Sequence, residues 1–104
     1  MSAYVISESE VLDEAVARRY RELAAASIAQ YGGTYLARGV KPEAAEGEFS
    51  AARRVVVLEF PDMARVWEWY ESPEYIEARK LSETALDRRI LFVDGVVATQ
   101  PQAG

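Results

Sequence analysis

Glu59 is a carboxylate at the end of an aliphatic run, Arg54-Val55-Val56-Val57-Leu58-Glu59-Phe60. Buried there, its pKa would rise toward the range of a general acid or base. At a strand end it would instead pair with Arg54 or Arg89. Arg38 offers a guanidinium fork suited to a carboxylate ligand, or to a salt bridge at an interface or helix cap. Tyr35 precedes it by three residues, a spacing that puts the two on opposite faces of a regular strand. Only one of them then lines a cleft, unless the strand bulges. Trp67, Trp69, Tyr70 and Tyr75 could form an aromatic wall, or equally a core stripe at helical spacing. Ser72 reads as a helix cap, and the backbone N–H groups beside it could hold an anion. The expected ligand-binding set is therefore Tyr35, Arg38, Trp69, Tyr70, Ser72 and Tyr75. Glu59 is the catalytic candidate. The pairs Arg53-Arg54 and Arg88-Arg89 read as solvated charge flanking strand ends.

Absent residue types narrow the chemistry. The chain has no cysteine and no histidine. Thiolate catalysis, disulfides, Cys/His zinc sites and a Ser-His-Asp triad are excluded. Acid–base work falls to carboxylates, tyrosines, lysines or water, and neither a metal nor a cofactor is expected. Net charge is −5, from 12 Lys+Arg against 17 Asp+Glu, with no basic tail or stripe. That disfavours nucleic acid and anionic membranes as partners. The N-terminus has neither a basic region nor a long apolar run, unlike a signal peptide. No apolar stretch approaches the roughly 20 residues of a membrane span. A cytoplasmic protein is expected.

Elements that would position these residues follow from periodicity. With 104 residues, half of them apolar, one packed domain over residues 1–97 is expected, followed by a C-terminal tail at 98–104. A strand opens at Tyr4-Val5-Ile6 and runs out near Glu10. Asp13 caps a helix whose stripe is Leu12, Val16, Tyr20, Leu23, Ala24, Ile28 and Tyr31. Gly32 or Gly33 ends that helix, and Thr34 to Arg38 form a strand. The polar stretch Gly39 to Ala52 is a long connection, either a plain hairpin arm or a lid, in which Phe49 alone should pack down. Arg54 to Phe60 is the strongest strand. Asp62 caps a helix with Met63, Val66, Trp67 and Tyr70 inward and Trp69 on another face. Ser72-Pro73-Glu74 starts the next helix, continuing to about Leu86. The last strand lies within Arg88 to Val97.

The order β-α-β-β-α-β, with its second helix in two pieces, predicts a ferredoxin-like α+β fold with an antiparallel sheet. Both faces of the strands are apolar. Val56, Leu58 and Phe60 oppose Val55 and Val57; Ala3 and Val5 oppose Tyr4 and Ile6; Ile90 and Phe92 oppose Leu91 and Val93. Helices cover one face only, so the other calls for a second copy, and a homodimer is expected.

The chain resembles the domain-of-unknown-function 1330 family, small dimeric α/β-barrel proteins. The resemblance rests on Ala3-Tyr4-Val5-Ile6, Tyr31-Gly32-Gly33-Thr34-Tyr35-Leu36-Ala37-Arg38-Gly39, Arg54 to Pro61, Trp69-Tyr70-Glu71-Ser72-Pro73-Glu74-Tyr75 and Arg89 to Gly95. Phe49 and Asp94-Gly95 depart from it, where a tryptophan and Glu-Gly are usual. It implies a dimeric α/β barrel and no particular reaction. At superfamily level it extends to cofactor-independent monooxygenases and lactone isomerases, which implies a ligand between the sheet's open face and a lid. The functional expectation is a homodimer binding a small anionic or aromatic organic molecule. One alternative is a cofactor-independent isomerase or monooxygenase. The other is a structural or regulatory module using a filled barrel and an exposed Trp69 to hold a protein partner.

Overall fold

The structure, a computed structural model, describes residues 2–96. Four strands, β1 (Ala3–Val11), β2 (Thr34–Val40), β3 (Arg54–Phe60) and β4 (Leu86–Asp94), form one antiparallel sheet in the order β2-β3-β1-β4. Val5 faces Leu58 on one side and Phe92 on the other, so β1 is central. Three helices, α1 (Glu14–Gln30), α2 (Met63–Tyr70) and α3 (Pro73–Ala85), complete the ferredoxin-like arrangement. The tail expected at 98–104 lies outside the described residues.

Polar side chains define the helix starts. Asp13 Oδ1 accepts from Val16 N at 3.2 Å, and Asp62 Oδ1 accepts from Arg65 N at 2.8 Å. Ser72 Oγ accepts from Tyr75 N at 3.1 Å and donates to the Trp69 carbonyl at 2.7 Å, joining α2 to α3. Each bond satisfies a backbone group that the helix leaves unpaired. Helix α1 stops where Gly32 takes φ +81°. Gly33 must lack a side chain, because a Cβ there would sit 2.7 Å from Phe60 Cζ and 2.8 Å from Ile28 Cγ2. Strand β4 begins at Leu86, directly after α3, two residues earlier than Arg88.

The core lies between the helices and one sheet face: Ala3, Val5, Leu58 and Phe60 pack against Ala24, Ile28, Val66, Trp69, Tyr75 and Ala78. Three side chains differ from the sequence expectation. Leu12 precedes α1 and is 60% exposed, so Ala17 and Ser27 take up the stripe instead. On α2, Trp69 is buried at 1% exposure and Trp67 is half exposed at 47%. The helix has only two turns, and its buried line runs Val66 to Trp69 at i, i+3. Trp69 also has a partner for its indole N–H, Ser27 Oγ at 3.0 Å, while Trp67 lies edge-on over Phe92 at 4.8 Å.

Among the described residues no helix covers the opposite face of the sheet. Val40, Leu91 and Val93 are 47%, 44% and 41% exposed there, beside the half-buried Ile6, Val55 and Val57. Residues 41–53 connect β2 to β3 without regular structure; Pro42, Phe49 and Arg53 are half-buried and the others exposed. Among the described residues no helix is long and apolar enough to cross a membrane.

Candidate functional site: an arginine-lined cavity under the first helix

Short side chains open a space between α1 and the sheet. On β1 the residues facing α1 are Val5, Ser7 and Ser9; across from them α1 presents Ala24 and Ala25. Serine and alanine cannot span a helix–sheet gap that Leu58 and Phe60 fill further along. The result is a cavity of about 630 Å³, in the range of small-molecule sites. It lies on the helix side of the sheet, whereas the superfamily resemblance implied the open face.

Strand register then sets charge around it. Ser9 pairs with Arg54 on one side and Arg88 on the other, so both arginines flank the serine on the helix-facing side. Arg18 and Arg21 enter from α1 and Arg38 from β2, making, among the described residues, five arginines against one carboxylate, Glu22, in the lining. Glu22 is bound to Arg19 at 3.2 Å and Arg21 to Glu14 at 2.6 Å. Among the described residues Arg18, Arg38, Arg54 and Arg88 have no carboxylate within 4.0 Å. An acidic chain has thus gathered a cationic pocket.

Arg88 is the centre of that pocket. Its Nη1 donates to Tyr20 Oη at 2.7 Å, and its Nη2 to Tyr75 Oη at 3.1 Å and Ser82 Oγ at 3.2 Å. The two tyrosine oxygens lie 2.8 Å apart. Burial opposes the charge on Arg88, but the neighbouring tyrosine hydroxyls outweigh it and its pKa is raised. Burial pushes the Tyr75 hydroxyl well above its ordinary value, with Tyr20 adding to the shift and Arg88 opposing it. Arg88 therefore carries its charge, and Tyr75 its proton, throughout the physiological range.

Tyr35 and Arg38 share the cavity. Strand β2 pairs Tyr35 with Leu58 but Ala37 with Val57, and then Val40 with Val55. Each step inserts an extra residue, a β-bulge that reverses the alternation of faces. The Arg38 guanidinium consequently lies 4.2 Å over the Tyr35 ring. Burial raises the Tyr35 pKa, with Arg38 pulling the other way.

The expected site residues divide. Tyr35, Arg38, Trp69 and Tyr75 line the cavity. Ser72 is buried in its capping bonds, and Tyr70 lies outside the cavity lining under the Arg79 guanidinium, 4.1 Å away. Glu59 pairs with Tyr4 and Thr34 on the open face, away from the cavity. Neither ion pair suggested for it forms: Arg54 donates to the Ala51 and Arg53 carbonyls, and Arg89 binds Glu8 at 2.5 Å. Trp69 is no exposed docking residue, since the core covers it. Arg88, expected as solvated charge, is half-buried among tyrosines. Its position was readable from β4, where Arg88, Ile90 and Phe92 alternate onto one face. Tyr20 carried no such signal beyond its place on the α1 stripe.

The architecture and cavity define a ferredoxin-like α+β domain with an arginine-rich chamber beneath its first helix. The chain belongs to the family described as domain of unknown function (DUF1330), whose model matches residues 2–96. Among curated proteins none matches it. Solved structures share its fold at low identity. A protein of unknown function from Rhodopseudomonas palustris is 16% identical with a TM-score of 0.73, over 92% of this chain and 83% of that one. SnoaB, a cofactor-independent oxygenase from Streptomyces nogalater, is 10% identical with a TM-score of 0.66, over 96% and 98%. A dimeric protein of unknown function and ferredoxin-like fold from Bacteroides fragilis is 15% identical with a TM-score of 0.63, over 90% and 96%.

Proposed function

We propose that the protein is a cytoplasmic homodimer that binds a small aromatic or otherwise planar organic anion in the cavity under α1. One observation carries this reading: Arg88 is half-buried on the cavity wall with no carboxylate partner among the described residues. A partly desolvated, uncompensated charge is costly, and an anionic ligand would offset that cost. Arg38 supplies a second guanidinium, and Tyr35, Trp69 and the aliphatic floor at Val56 and Ile90 supply flat apolar surface. Dimerisation is supported by the uncovered apolar face around Val57, Leu91 and Val93 and by the dimeric ferredoxin-like protein from Bacteroides fragilis.

A second reading is a cofactor-independent oxygenase or isomerase. It is supported by the fold likeness to SnoaB, described as such an oxygenase, and by the paired tyrosine hydroxyls beside a fixed positive charge. Turnover would then use tyrosines rather than Glu59.

Salicylate and benzyl alcohol test the binding reading, since both are small aromatic oxygen compounds and only salicylate is an anion. In a Trp67→Phe variant, Trp69 is the remaining tryptophan and reports from the cavity wall. Salicylate should quench its fluorescence saturably and bind at least about tenfold tighter than benzyl alcohol, a gap of ~1.4 kcal/mol. Arg88→Met should erase most of that gap. Equal binding of the two compounds, or no saturable response to either, would overturn the reading.

A further inference from the structure

The Tyr20, Tyr75 and Arg88 cluster has a fixed proton order. Arg88 reaches both tyrosine oxygens, at 2.7 and 3.1 Å. A guanidinium only donates, so each oxygen already accepts one hydrogen bond. The oxygens are 2.8 Å apart, and the bond between them uses one of the pair's two hydroxyl protons. The other proton must point out of the pair. Tyr75 is fully buried, and Ser82 Oγ, the third group on Arg88, accepts from Arg88 while donating its own proton to the Arg79 carbonyl at 2.8 Å. Among the described residues nothing else accepts from Tyr75. Tyr20 is half-buried and lines the cavity. Tyr75 therefore donates to Tyr20, and Tyr20 donates into the cavity.

We propose that Tyr20 is the donor that recognises the charged oxygen of the ligand, and that the ligand class is a phenolate or enolate. This rests on the cavity being a site for organic anions. The Tyr20 oxygen accepts from a cation and from a second hydroxyl, which polarises its own O–H and makes it a strong donor. A single outgoing donor matches an anion whose charge sits on one oxygen next to an unsaturated carbon. Three of the N–H groups of Arg88 are engaged by Tyr20, Tyr75 and Ser82, so its charge is relayed through Tyr20. The arrangement is that of an oxyanion site, in which preorganised donors await charge on a carbonyl-derived oxygen.

The test compares 4-nitrophenol with 4-nitrotoluene, which has a methyl group in place of the hydroxyl. On wild-type protein the bound 4-nitrophenol should titrate, by absorbance, at a lower pH than the free dye. Tyr20→Phe should weaken the phenolate by about tenfold or more, as for loss of a hydrogen bond to a charged group, while 4-nitrotoluene changes by less than about twofold. Tyr75→Phe should weaken the phenolate less than Tyr20→Phe does. A phenolate bound equally by wild type and Tyr20→Phe would remove the donor assignment and leave the cavity reading intact. Equal loss of both dyes would reduce Tyr20 to packing and overturn the proposal. A bound dye that titrates at higher pH than the free dye, or a larger loss from Tyr75→Phe, would overturn it as well. If wild type binds neither dye, the cavity reading and this one fall together.

Discussion

The Arg38 guanidinium rests 4.2 Å above the Tyr35 ring, on a strand that the bulge between Tyr35 and Ala37 has turned by one face. The stacking orients Arg38 at the cavity while leaving its donor edges free, and a cation–π contact at such a site contributes about 0.5–1 kcal/mol. Arg38→Gln should therefore weaken salicylate binding by about 3–10-fold while changing stability by less than ~1 kcal/mol. Titration calorimetry and urea unfolding on the same variant measure the two effects. A large loss of stability with unchanged affinity would make Arg38 structural.

The two tryptophans should separate cleanly. Trp69 is enclosed by Phe60 and Tyr75, with ring centroids 5.2 and 4.1 Å away, and donates to Ser27. Trp69→Ala should cost about 3–5 kcal/mol through the cavity it leaves. Trp67→Ala, which strips an edge-to-face cover from Phe92, should cost about 1 kcal/mol. Urea denaturation measures both, and comparable costs would mean that the α2 face is misassigned.

Alkaline pH should act through Tyr75. Its folded pKa is raised above the ordinary 10.0, chiefly by burial. Below pH 10 the hydroxyl is protonated in both states and its contribution is constant. Above pH 10 the unfolded chain loses this proton while the folded chain keeps it, so stability falls by about 1.4 kcal/mol per pH unit. Tyr75→Phe should remove that slope. Unfolding free energies at pH 9, 10 and 11 for both proteins provide the comparison, and parallel curves would contradict it.

The uncovered sheet face predicts its own variant. Leu91 and Val93 are partly exposed on β4, so Leu91→Glu with Val93→Glu should leave the protomer folded yet place carboxylates against the partner's apolar face. Light scattering should show twice the chain mass for wild type and the single-chain mass for the double variant. A dimer that survives both substitutions would use another surface.

Much of the fold was legible because its determinants are local. Asp13, Asp62 and Ser72 cap as their types dictate, Gly32 takes a left-handed turn, and the strand alternation at Val55 to Phe60 places Glu59 opposite the helix-facing Leu58. The site was less legible because its members are brought together by register. Arg18, Arg38, Arg54 and Arg88 come from four different elements, so no basic stripe exists in the sequence, and Arg38 reaches the cavity only through a bulge that a three-residue spacing cannot reveal. Trp67 and Trp69 exchanged roles because a two-turn helix gives too few positions to fix its inner line. Tyr20 matters through the Arg88 and Tyr75 contacts, made 68 and 55 residues along the chain.

An organic anion bound beside Arg88 under α1 should be visible from the arginines themselves. Arginine Nε–H resonances, recorded by NMR while salicylate is added, test this most directly. Arg88 and Arg38 should shift together along one saturating curve, while Arg89, bound to Glu8 on the other face, stays fixed. Shifts centred on Arg89 and the residues around Val57 and Leu91, with Arg88 unmoved, would contradict it.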